Sequence, residues 1–340
     1  MLPDSVAVAP VLPRVSTSVI LPYRDAADTI VAALESVLAE DVVGEVVAID
    51  DGSRDEGFSR AKSVRDARIV HVQAGGLGVA GALRVGLERS RGELIARMDG
   101  DDVSHPGRIA AEVAALAEDE ALAVAACRVE PTGEVTDGMR AYVDWQNAIT
   151  TREDHARAIF VESPVCHPST VIRRSALESV GGFREAPWAE DWDLWLRLDA
   201  AGFGIAKVER TLFSWRQRAT SVTRRDPRCS VERLREARAR YLAPRLVSMQ
   251  RPIAMWGAGP TGKRLARELE RHGVRTSRFI DIDPRKIGRV RRGVPVIDRR
   301  HVDREHTIVV AVGARGARDL VREELLSRGF VEGRDFIAAS

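Results

Sequence analysis

From Thr17 onward, short apolar runs that read as buried strands alternate with stretches of helical spacing, and this alternation limits the fold more than any other feature. The runs are TSVIL (17–21), EVVAI (45–49), RIVHV (68–72) and ELIARM (93–98), with helical stretches at about 27–39, 54–65 and 79–90. Such alternation predicts an α/β fold, a mostly parallel sheet flanked by helices. Ligands of these sheets sit beyond the carboxyl ends of the strands. Two of those ends are heavily marked with carboxylates.

A chain of 340 residues suits two globular domains, because single cores rarely grow much beyond roughly 250 residues. No apolar run reaches the ~20 residues of a membrane helix. The first fifteen residues lack a basic start and a continuous apolar stretch, so they read as a flexible lead (1–15) rather than a signal peptide. Cys127, Cys166 and Cys229 are odd in number and without a CxxC pair, which points to neither a disulfide frame nor a zinc site and fits a reducing cytoplasm. A net charge of +2 excludes a global electrostatic case for nucleic acid. Within that balance lysine occurs only at 62, 207, 263 and 286, so 48 of 52 basic residues are arginine.

After about residue 130 the rhythm weakens, and Phe213-Ser-Trp-Arg216 reads as the end of a short strand. Residues 218–245 carry nine arginines against Asp226, Glu232 and Glu236, mostly in an expected basic linker helix over 229–249 that Pro244 helps close. That helix suggests peripheral contact with an anionic membrane at its inner face. A second α/β unit is expected over 250–340, and the first over 16–228. In the second unit Gly257-Ala-Gly259-Pro-Thr-Gly262 follows a strand and opens a helix, and Asp281 comes 19 residues after Gly262. Spacing and context match a dinucleotide fingerprint of Rossmann-like domains. Nucleotide binding there competes with a role as scaffold or homodimer surface.

The first carboxylate cluster is Asp50-Asp51-Gly52-Ser53, directly after a strand. The second, Asp99-Gly100-Asp101-Asp102, holds three carboxylates in four positions, which repel one another unless a cation neutralises them. Hard oxygens of this kind suit Mg²⁺ or Mn²⁺ with substrate phosphates as further ligands; an exposed acidic turn is the alternative. The third, Trp188-Ala-Glu190-Asp191-Trp192-Asp193-Leu-Trp195, places Trp192 and Trp195 at core spacing and Glu190 and Asp191 in a helix's first turn. Carboxylates there are either helix caps or functional groups.

The ordered set SVILPYRDAADTI, VVAIDDGS, GGLGVAGALRVGLERSRGELIARMDGDD, HPSTVIRRSALESVGGF, AEDWDLWLRL and FSWRQRATSVT resembles the family 2 glycosyltransferases of the GT-A fold over about residues 16–225. The resemblance implies that Pro22, Tyr23, Arg24, Asp25 and Asp51 hold the nucleoside of a UDP- or GDP-sugar, with Asp51 accepting the base's ring N–H. Arg84 and Gly100 join that donor site. Asp99 and Asp101 match the DxD pair, Asp99 near the ribose and Asp101 on a Mn²⁺ or Mg²⁺ that bridges the diphosphate. Asp191 matches the general base of an inverting transfer to a glycan or lipid-linked acceptor. Glu190, Trp188 and His167 lie on the acceptor side, and Arg216 near the leaving diphosphate. Arg218 stands where such enzymes often carry a histidine, a residue that can ligate metal where arginine cannot. Two rival readings are a nicotinamide-dependent oxidoreductase acting on a sugar nucleotide and a non-catalytic nucleotide-sugar binding protein.

Overall fold

The computed structural model describes residues 16–218, 226–314 and 316–340. The expected lead at 1–15 lies outside them, as do Arg224 and Arg225 of the basic run. The anticipated alternation is present as β1 (Thr17–Tyr23), α1 (Ile30–Leu38), β2 (Val43–Asp50), α2 (Gly57–Ser63), β3 (Ile69–Gln73), α3 (Gly78–Arg89) and β4 (Leu94–Arg97). Then come β5 (Val103–Ser104), α4 (Arg108–Glu118), β6 (Leu122–Gly133), α5 (Asp137–Ala148), α6 (Arg152–Ala158), β7 (Thr170–Arg173), α7 (Arg174–Ser179), α8 (Glu190–Ala200) and β8 (Gly204–Gln217). The strands form one sheet in the order β3-β2-β1-β4-β7-β6-β8-β5.

β1 is buried along its whole length, as an apolar strand between two parallel neighbours must be. Its register sets Tyr23 opposite Asp50 and Ile20 opposite Arg97, so the carboxyl ends of β1, β2 and β4 emerge side by side. β7 runs antiparallel to β4 and β6, and β6 pairs in parallel with β8. The segment read as a short strand before Arg216 is the end of the 14-residue β8. Its Lys207, Glu209, Arg210 and Arg216 interrupt the apolar pattern, which is why the sequence understates it.

A second sheet follows α9 (Val231–Ser248). It is built from β9 (Ile253–Trp256), α10 (Pro260–Arg271), β10 (Thr276–Asp281), β11 (Val290–Arg291), β12 (Val294–Asp298), β13 (Thr307–Val310), α11 (Ala317–Ser327) and β14 (Phe336–Ala338). The order β11-β12-β10-β9-β13-β14 is parallel except for the β11–β12 hairpin. Pro244 sits inside α9 rather than closing it, and the helix continues for another turn with Leu246 buried.

α9 packs on α8 and α10. Its Ala237, Ala239, Leu242, Ala243 and Leu246 belong to one apolar cluster that includes Trp192, Trp195 and Leu198 as well as Met255, Leu269 and Ile337. Each such leucine stabilises the fold by about 1.5–3 kcal/mol through burial. The basic run on α9 is largely paired: Arg233 with Glu236, Arg235 with Glu232 and Arg245 with Asp199, while Arg238 donates to the Phe160 and Val161 carbonyls. Just before the helix Arg228 bonds Asp226 and Glu185. Among the described residues no helix is long and apolar enough to cross a membrane.

The junction turns on Asp193, whose side chain is 1% exposed. It accepts from Arg184 Nε (2.9 Å), Arg197 Nε (2.8 Å), Trp188 Nε1 (3.0 Å) and Tyr241 Oη (2.8 Å), tying α8 to α9. Burial opposes its charge, but the two arginines and the tyrosine hold the carboxyl below its usual range. Removing one member of a buried pair leaves the other charge uncompensated and costs about 3–5 kcal/mol. Asp193→Ala is therefore expected to lower the unfolding free energy by about that amount in a denaturant titration.

Candidate functional site

The carboxyl ends of β1 and β2 are joined by side chains gripping backbone. Asp51 donates its amide to the Tyr23 carbonyl (2.9 Å), and its carboxylate accepts the amides of Gly76 (3.1 Å), Leu77 (2.6 Å) and Gly78 (2.9 Å). Gly75, Gly76 and Gly78 all hold positive φ, a conformation that lets the loop turn its N–H groups onto one carboxylate at the start of α3. Asp51 thus fastens the glycine loop to the end of β2, its oxygens already engaged by three amides. Asp25, itself at φ 49°, accepts from the Arg54 amide (2.7 Å) and donates its own amide to Ser53 Oγ (3.0 Å). Arg24 is half-exposed beside it, and Arg84 is exposed on α3. Tyr23 is buried; burial first, then Asp50 and Asp55, raise its hydroxyl pKa.

The Asp99–Asp102 turn follows β4. The Gly100 amide donates to the Pro22 carbonyl (3.3 Å), and a Cβ added at Gly100 would lie 2.4 Å from the Tyr23 Cβ, so only glycine brings this turn against β1. Three carboxylates meet three arginines here. Arg97, with its side chain 3% exposed, bonds Asp99 and the Met98 carbonyl. Arg218 Nε lies 3.1 Å from Asp101 Oδ2. The Arg216 amide donates to Asp102 Oδ1 (2.7 Å), while its side chain is exposed and eases the charge on Asp101.

These arginines do not fully neutralise the turn. Burial, then Asp99, push the Asp101 carboxyl up; burial, then Asp99 and Asp101, push Asp102 well up. Asp102 Oδ2 is buried with no hydrogen-bond partner among the described residues. Residual negative charge of this kind fits a divalent cation. Asp102 is enclosed, so Asp99 and Asp101 are the carboxylates within reach of one. Among the described residues no three His, Cys, Asp or Glu side chains form a ready-made cage. Two carboxylates therefore suffice only where phosphate and water complete the coordination.

Later in the chain, α8 opens at Glu190 with no side-chain cap from the preceding Ala189. Asp191 instead accepts from the Trp192 amide (2.7 Å) and from Ser163 Oγ (3.1 Å). Burial, then Asp191, push Glu190 up to about 7, opposed by Arg228 and Arg97. Burial also raises Asp191, opposed by its two hydrogen bonds and by Arg97. Asp191's ionised form has the better donors, so of the pair Glu190 takes the first proton. Arg97, which the motif reading passed over, touches Asp99 and acts on both members of this pair; an arginine inside an apolar strand run was the available signal.

The acceptor-side expectations are placed differently. His167 is buried, its ring 5.7 Å from Phe183 and 5.4 Å from Trp195, and burial followed by Arg97 pushes its imidazole well below the usual range. It is a neutral core residue, held beneath the site. Trp188 is half-buried, its indole N–H bound to Asp193 and its ring packed edge-on against Tyr241. Trp192 and Trp195 are fully buried, as their spacing predicts.

In the second unit Asp281 accepts from the amides of Ala258 (3.0 Å), Ile282 (2.9 Å) and Asp283 (2.9 Å) and from Lys286 Nζ (3.0 Å). Four donors fill the acceptor sites of a carboxylate, leaving none for a ribose hydroxyl. Gly257 has φ 124°, and a Cβ on Gly262 would lie 1.9 Å from its carbonyl oxygen, so both glycines serve packing. Of the three, Gly259 alone faces open space.

Residues 18–181 match the family described as Glycosyl transferase family 2. The putative glycosyltransferase EpsE of Bacillus subtilis (strain 168) is 28% identical over 226 residues, 63% of this chain and 78% of that protein. The amylovoran biosynthesis glycosyltransferase AmsE of Erwinia amylovora is 26% identical over 186 residues, 53% of this chain and 67% of that protein. The solved structure of S. aureus TarS 1–349 in complex with UDP-GlcNAc shares the fold, with TM-score 0.55 at 18% identity over 76% of this chain and 72% of that one. These findings support a family 2 glycosyltransferase domain with a GT-A-like, mostly parallel sheet. The family match ends before Glu190 and Asp191, whose roles are those the sequence resemblance implies.

The close approach of Gly100 to β1 has a measurable consequence. Gly100→Ala is expected to cost about 1–3 kcal/mol through overpacking and to weaken nucleoside-diphosphate binding by moving Asp99 and Asp101. Gly259→Ala, by contrast, should change stability by no more than about 0.5 kcal/mol. Parallel denaturant and calorimetric titrations of the two variants check both outcomes.

Proposed function

We propose that this protein transfers a sugar from a nucleoside-diphosphate donor to a hydroxyl of a glycan or lipid-linked acceptor, with inversion at the anomeric carbon. The observation that carries the reading is the Arg97 guanidinium, which bonds Asp99 of the turn after β4 and also eases the charge on Asp191 at the start of α8. AmsE, named for amylovoran biosynthesis, supports a polysaccharide acceptor.

The diphosphate leaving group gains negative charge as the glycosidic bond breaks. Arg216, exposed at the end of β8, is positioned to meet that charge. A divalent cation, held by Asp101 with Asp99, would add positive charge at the same place. Asp191 would take the acceptor's proton, its carboxylate oriented by Ser163 and the Trp192 amide. With Asp191 as the base and no second nucleophile assigned among the described residues, the displacement is proposed to be single and to invert configuration. The second sheet reads as a Rossmann-like domain serving as scaffold, because its acidic residue is saturated by its own chain. The same saturation disfavours the oxidoreductase alternative, whose cofactor would look to that carboxylate for its ribose.

Three measurements bear on this reading. Incubation with UDP- and GDP-sugars, with and without Mn²⁺, should give metal-stimulated hydrolysis or transfer from at least one donor; no turnover with any donor would favour a binding protein. Asp191→Asn should lower transfer by about 10²–10⁴-fold and leave nucleoside-diphosphate affinity within about twofold. The pH profile follows from Glu190. As pH rises through about 7, Glu190 loses its proton, and its new charge makes the neighbouring Asp191 a stronger base. The rate should therefore climb across that range in the wild type, and Glu190→Gln should abolish the climb and leave only a more acidic limb.

A further inference from the structure

The Arg218–Asp101 ion pair differs from the enclosed Arg97–Asp99 pair beside it. Arg97 is enclosed, bonded to Asp99 and to a backbone carbonyl, and has no room to leave. Arg218 and Asp101 are each about one-third exposed, at 33% and 30% of their side-chain surface, and half-exposed pairs of this kind exchange readily with solvent and ligands. Arg218 is delivered to this place by rigid structure. Asp102 Oδ1 anchors the Arg216 amide two residues earlier, and the Gln217 carbonyl accepts the Glu134 amide (2.9 Å). The guanidinium also reaches Thr29 Oγ1 (3.4 Å), whose hydroxyl donates to the Gly100 carbonyl (2.8 Å), so it lies across the acidic turn.

Resting on the glycosyltransferase reading, we propose that Arg218 is a two-position group that couples donor binding to cation binding. Without ligand it closes on Asp101. When a nucleoside diphosphate arrives, the planar fork transfers to the phosphates, which it matches in geometry and charge. Asp101 is thereby released for a divalent cation. Either ligand must break the same ion pair, so each that binds lowers the work left for the other. The coupling is reciprocal by thermodynamic necessity. No bond is made or broken in this step; one ion pair is exchanged for two.

Binding without turnover tests the idea, using the whole chain, UDP and GDP as anion probes and Mn²⁺ as the cation. Three titrations are needed for wild type, Arg218→Ala and Asp101→Asn: Mn²⁺ alone, nucleoside diphosphate in EDTA, and nucleoside diphosphate with Mn²⁺. Arg218→Ala should bind Mn²⁺ alone at least fivefold more tightly than wild type, because Asp101 is free. It should bind nucleoside diphosphate in EDTA at least tenfold more weakly, and Mn²⁺ should sharpen that binding less. Asp101→Asn should reverse the pattern, losing Mn²⁺ and gaining diphosphate affinity in EDTA. Mn²⁺ affinity in Arg218→Ala within twofold of wild type, or no gain in Asp101→Asn, overturns the coupling. Wild type that binds neither nucleotide, with or without Mn²⁺, instead overturns the glycosyltransferase reading on which the proposal rests.

Discussion

One buried guanidinium joins the two halves of the site. Arg97 occupies the last position of β4, opposite Ile20 of the most enclosed strand, and its charge acts on Asp99, Glu190 and Asp191 together. Without a cation at that depth, these carboxylates would repel one another across a poorly solvated gap and take up protons. A strand interior is a costly place for an arginine unless its charge is matched. Here the match is the site itself, so the stability of β4 and the ionisation of the base depend on the same group.

Carboxylates in this chain divide by what they hold. Asp25, Asp51, Asp193 and Asp281 are engaged by backbone amides, arginines, Trp188, Tyr241 and Lys286, and they act as cross-links between elements distant in sequence. Asp51 secures the glycine loop before α3, and Asp193 fastens α8 to α9. Asp99, Asp101 and Asp191 are held by Arg97, by Arg218, and by Ser163 with the Trp192 amide, and burial raises Asp101 and Asp191. Acidic residues of both kinds follow strands or open helices, so position alone does not separate them.

Much of this was legible beforehand. The first four strands, with the three helices between them, fall close to where apolar periodicity places them, and β1, β2 and β4, buried over most of their length, write continuous apolar runs. β6 and β8 were less readable: they extend to the sheet's margin, where charged residues interrupt the pattern. Asp99, Asp101 and Asp191 stood out in the sequence as carboxylate clusters, and their roles came from the motif resemblance alone. The engagement of Asp51 by three amides could not be read there, since it depends on a loop closing from 25 residues away. Nor could the burial of His167 and the bonding of Trp188 to Asp193, both set by tertiary packing of α8. The basic helix read as a solvated connector because its arginines hide how many acidic neighbours the fold supplies.

The apolar cluster running through α9 makes the two sheets neighbours in one interior. Ile337 and Ala339, at the last strand, share it with Trp192 and Leu194 beside the proposed base. Local opening therefore cannot be confined to the far sheet: loosening the chain's end would uncover side chains on which α8 rests. A truncation after the first sheet would leave α9 with an unmatched greasy face and α8 without support. Fraying at the C-terminus and loss of catalytic geometry are, in this architecture, one cooperative event.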